Sequence, residues 1–85
     1  MAKIKVVFTD GREIEGEITP AVEYAFEISR GKGLFKAMRE DEKQSDVYYL
    51  AWEVCRRQGE SIKPFGLEFL ETIKKVDITD SDPLA

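Results

Sequence analysis

The feature that most constrains this chain is a pair of alternating segments on either side of an Asp-Gly dipeptide. In Lys3-Ile4-Lys5-Val6-Val7-Phe8-Thr9, the residues Ile4, Val6 and Phe8 fall on one face. Asp10-Gly11 then reverses the chain, because this dipeptide tolerates positive φ at both centres of a two-residue turn. Glu13-Ile14-Glu15-Gly16-Glu17-Ile18 alternates again, with Ile14, Gly16 and Ile18 inward and the glutamates facing water. A two-stranded hairpin is marginal in water, so its apolar face requires helices across it or another chain at its edge.

The remaining sequence supplies helices. Thr19-Pro20 opens one, since a threonine hydroxyl caps free N–H groups and proline lacks only a donor that is unneeded at the first position. Its stripe is Ala21, Val22, Ala25, Phe26 and Ile28, ended by Gly31 and Gly33. Leu34, Phe35, Ala37 and Met38 form a short apolar turn, and residues 39–44 read as a solvated loop. From Ser45-Asp46, the residues Val47, Leu50, Ala51, Val54 and Cys55 fall at i, i+3, i+4, i+7 and i+8, a full amphipathic stripe. Arg56 and Arg57 suit the last turn of that helix, and Gly59 its stop. Pro64 opens a third helix with a stripe of Phe65, Phe69, Thr72, Ile73 and Val76. The predicted fold is α+β and helix-rich: an N-terminal β-hairpin with about three helices packed on it, in the order ββααα. Residues 1–76 form the expected single globular domain, with a core centred on Val6, Phe8, Ile14, Ala25, Leu50, Val54, Phe69 and Ile73. Residues 77–85, with Asp77, Asp80 and Asp82, read as an acidic flexible tail.

Composition narrows the chemistry. Among 85 residues there is no histidine, so no imidazole base, Ser–His or Cys–His pair or imidazole metal ligand is available. The net charge of −4 comes wholly from residues 39–85, since residues 1–38 carry six basic and six acidic groups. A duplex binder needs a basic face, so no nucleic-acid partner is expected. No apolar run reaches the ~20 residues that span a bilayer, and Met-Ala-Lys-Ile-Lys lacks the apolar core of a secretion signal. A lone Cys55 fits a reducing compartment. A cytoplasmic protein without membrane contact is the expectation.

The candidate chemical sites have plainer explanations. Glu13, Glu15 and Glu17 align three carboxylates, as does the solvated face of any amphipathic strand. Asp80-Ser81-Asp82 lacks the glycine and closing glutamate of a calcium loop. Gly31-Lys32-Gly33 follows a helix, where glycines serve as terminators, rather than a strand. Cys55 lies on an apolar stripe with no base to activate it. No catalytic group, metal or cofactor is therefore expected. Tyr49, Trp52 and Arg56 are different: at i, i+3 and i+7 they share a face off the apolar stripe, and these are the residue types most enriched in binding hot spots. Leu67 and Leu70 leave the core face of the next helix and continue the theme. These five are the expected partner-binding residues, for another copy of the chain or for an amphipathic helix.

The run Tyr49-Leu50-Ala51-Trp52-Glu53-Val54-Cys55-Arg56-Arg57-Gln58-Gly59, then Pro64-Phe65-Gly66-Leu67-Glu68-Phe69-Leu70, resembles the small tail assembly chaperones of long-tailed phages. The resemblance extends to the strand pair with its Asp-Gly turn and to Asp82-Pro83 in an acidic end. It rests on spaced apolar positions with Trp52, Gly59, Phe65 and Phe69. Gly66 departs from it, since a glutamate is usual after that phenylalanine. The resemblance implies a non-enzymatic factor, acting in the host cytoplasm, that binds the tape measure protein or another tail protein during assembly. Many such chaperones also exist in a longer, frameshifted form. The alternative is a small structural virion protein, such as a head–tail joining, tail or decoration subunit.

Overall fold

A computed structural model describes residues 2–41 and 43–80. Strands β1 (Ala2–Phe8) and β2 (Glu13–Glu17) are followed by helix α1 (Pro20–Arg30) and a three-residue helix α2 (Leu34–Lys36). The latter runs into a wide π-helical turn at Ala37–Asp41. Helices α3 (Gln44–Arg57) and α4 (Leu67–Glu71) precede a closing strand, β3 (Ile73–Asp80). The sheet is antiparallel in the order β2-β1-β3, so the first strand is central.

The fold is α+β, as the residue pattern predicts, and the hairpin lies where expected. Its turn is one residue longer than the dipeptide implies. Phe8 N–H donates to the Arg12 carbonyl at 2.9 Å and Gly11 N–H to the Phe8 carbonyl at 3.0 Å, leaving Thr9, Asp10 and Gly11 as the loop. Gly11 takes the left-handed position at φ 95°, the usual ending of a three-residue hairpin. Asp10 fixes this geometry by accepting the Arg12 N–H at 3.0 Å on Oδ1 and Arg12 Nε at 3.1 Å on Oδ2.

Ile4, Val6, Phe8, Ile14 and Ile18 turn one face of the sheet toward the helices and are buried. Val22 and Phe26 of α1, with Leu50, Ala51, Val54 and Cys55 of α3, cover that face. The Thr19 hydroxyl caps α1 by accepting Val22 N–H at 3.3 Å, and Gly31 closes it at φ 73°. Leu34 and Ala37 are buried beneath the α1–α3 connection, so the turn holding Ala37 extends into what reads as a charged loop.

The C-terminal third departs from expectation. Only Leu67–Glu71 of the anticipated Pro64–Val76 helix is helical, and Ile73 and Val76 belong to a strand. In β3, Val76 pairs with Val6, Asp77 with Lys5, Ile78 with Ile4 and Thr79 with Lys3. The boundary drawn after Val76 thus falls inside a strand, and of the expected tail only residues 81–85 lie outside the described residues. The physical reason is the second edge of β1. With β2 on one side alone, its ladder groups on the other side lack partners, and the alternating, β-branched run from Val76 to Thr79 satisfies them. Phe69 is fully buried as expected, whereas Ile73 is only half-buried.

Candidate functional site

Helices α1 and α3 pack side by side on the sheet, and on the flank turned away from it they leave an open groove of about 500 Å³. Tyr24, Ile28, Trp52 and Arg56 stand along it with Tyr49 beneath. Tyr24 and Ile28 are each 66% exposed, large apolar groups in open solvent. Both lie on α1 opposite the buried pair Val22 and Phe26, as their spacing requires. Ile28 therefore leaves the core stripe assigned to it, and Ala25 is half-buried at the groove wall.

Tyr49 is corrected from partner-binding surface to core. It is 9% exposed, and its ring meets Phe26 edge-on at 6.2 Å and Phe65 at 5.2 Å. Its hydroxyl donates to Ser29 Oγ at 2.6 Å, tying α3 to α1. A thin core recruited the flank of α3 because Phe65 folds back over it. Trp52 is half-buried beside Tyr49, and its Nε1 donates to the Lys63 carbonyl at 2.9 Å. Arg56 is exposed and stands 5.6 Å from the Trp52 ring centroid, a cation–π distance. Leu67 is 76% exposed and Leu70 is half-buried against the core, but neither lines the groove. Of the five expected residues, Trp52 and Arg56 come together at an accessible surface. The sequence signal for Tyr24 and Ile28 was their i, i+4 spacing on the back of α1.

Two buried acids were missed. Glu53 is 1% exposed at the base of the groove. Arg56 reaches its Oε1 at 2.5 Å and Arg57 reaches the same oxygen at 2.9 Å. Two arginines share one carboxylate, which leaves the groove rim with a local excess of positive charge in an acidic protein. Bonding to Glu53 also holds the Arg56 guanidinium above its ordinary pKa. Asp46 is fully buried where α3 meets the end of α1, with Arg30 Nε at 2.9 Å from Oδ1 and Lys32 Nζ at 2.9 Å from Oδ2. Burial pushes its carboxyl up, but the two cations outweigh it and hold the pKa below the usual range. Gly31-Lys32-Gly33 thus ends α1 and delivers a lysine to this carboxylate.

Cys55 is fully buried, and burial, aided by Glu60, pushes its thiol up to about 11. A thiol at that value holds almost no thiolate at neutral pH and behaves as a small apolar group. Glu15 and Glu17 lie exposed on the open side of the sheet, and Glu13 there pairs with Lys5 at 2.8 Å.

No family model, curated protein or solved structure matches the chain. Among the described residues no helix is long and apolar enough to cross a membrane.

Proposed function

We propose that this protein is a non-enzymatic assembly factor of the tail chaperone type, and that the α1–α3 groove takes an amphipathic helix of the tape measure protein. The observation that carries the reading is the exposure of Tyr24 and Ile28 beside Trp52. Contiguous apolar surface on a small charged protein marks an interface, and a helix laid between two helices buries such a stripe. The arginine rim favours acidic residues along the flanks of the incoming helix.

The experiment is co-expression with a candidate tape measure protein from the same genome. The wild-type chain is expected to keep the tape measure soluble and to copurify with it. Trp52 is the sole tryptophan, so capture should shift its emission to the blue as the groove dries. Ile28→Glu is expected to abolish both effects. Capture unchanged by Ile28→Glu would remove the groove from the function, and no capture by the wild type would remove the function itself.

A further inference from the structure

The sheet has two edges, and they are not equivalent. At β2 the edge carries Glu13, Glu15 and Glu17, and the Glu15 carbonyl accepts Gln58 Nε2 from the end of α3 at 2.9 Å. That edge is acidic throughout and partly covered. At β3 no further described strand follows.

The direction of the β3 edge groups follows from the ladder. Ile18 N–H donates to the Ala2 carbonyl and Phe8 N–H to the Arg12 carbonyl, so the even-numbered residues of β1 bond toward β2. Its odd-numbered residues bond toward β3, where Lys5 faces Asp77 and Val7 faces Lys75. Val76 and Ile78 therefore aim their N–H and carbonyl groups away from the sheet.

We infer that β3 pairs with β3 of a second copy, antiparallel and centred on Val76, to make one continuous six-stranded sheet. Among the twofold registers centred on residues 75 to 77, this one is selected by charge. A dyad on Val76 sets Lys75 of each copy opposite Asp77 of the other, at the non-hydrogen-bonded positions where side chains approach most closely. A dyad on Lys75 would oppose two lysines, and one on Asp77 two aspartates. Within one chain Lys75 Nζ already lies 3.5 Å from Asp77 Oδ2, so both charges stand on the same face and are available to a partner. Toward the start of β3 the regular ladder stops at a bulge, where Lys74 is the extra residue between the partners of Val7 and Phe8. Lysines at an edge ordinarily deter pairing, but here Lys75 meets an aspartate.

The test is sedimentation velocity of the full chain across micromolar to millimolar concentration. The wild type is expected to pass from monomer to dimer. Asp77→Lys, which opposes lysine to lysine twice, should weaken association at least about tenfold. The double swap Lys75→Asp with Asp77→Lys should restore it, while wild type and double swap should not pair with each other. Circular dichroism melts of each variant separate lost pairing from lost fold, because Asp77 also neighbours Lys5. A wild type that stays monomeric, a dimer indifferent to Asp77→Lys, or open-ended polymers joining β3 to β2 would each overturn the proposal. So would a folded double swap that fails to self-associate.

Discussion

Gly16 of β2 lies so close to Val54 of α3 that a methyl group on the glycine would sit 2.5 Å from Val54 Cγ1. The same methyl would overlap the Gln58 amide, which is engaged with the neighbouring Glu15 carbonyl. The absence of a side chain at Gly16 thus sets how closely α3 approaches the sheet.

Gly16→Ala should therefore destabilise the fold by roughly 1–3 kcal/mol, the usual cost of forcing a methyl into a packed site. Adding Val54→Ala should recover part of that loss, since it removes the more rigid of the two obstacles. A double-mutant cycle in urea measures the coupling, and strict additivity would mean that the helix moves away freely.

Asp46 gives stability a pH dependence of known sign. Its pKa is depressed in the folded protein. Its ion pairs therefore contribute fully above the ordinary aspartate range, and the contribution fades as the pH falls through the lowered value. Asp46→Asn should cost about 1–3 kcal/mol at neutral pH, less than for a sealed pair because Arg30 and Lys32 reach water. The gap between variant and wild type should close in acid, as chemical denaturation at stepped pH would record.

Truncation after Val76 removes the β3 partners of Ala2, Lys3, Ile4 and Lys5. Ile4 is fully buried under that ladder. The shortened chain should lose about 2 kcal/mol or more and melt less cooperatively, since Ile4 would border water. Truncation after Asp80 is the matched control, and equal melting of the two chains would contradict the strand.

Replacing Ile28 by glutamate should leave stability within about 0.5 kcal/mol, since the side chain is mostly in solvent. Tyr49→Phe should cost more, about 1 kcal/mol, because Ser29 loses its hydroxyl partner. The ordering of these two variants in thermal melts distinguishes open groove wall from core.

Local pattern settled much of this molecule. Alternation and an Asp-Gly signal placed β1 and β2, Thr19-Pro20 and Gly31 bounded α1, and the apolar spacing of Leu50, Val54 and Cys55 oriented α3. Each of these depends on neighbours within a few residues. The tertiary structure decided the rest. Ile73 and Val76 satisfy helical spacing from Phe69, yet they form a strand, because a central β1 must pair on both sides and that demand arises about seventy residues away. Tyr49 reads as surface until Phe65 folds over it, and Asp46 reads only as the start of a helix until Arg30 and Lys32 close around it. Ile28 reads as core until α1 turns Val22 and Phe26, and not Ile28, into the core. Helical phase fixes which residues share a face, whereas burial of that face depends on what the rest of the chain brings against it.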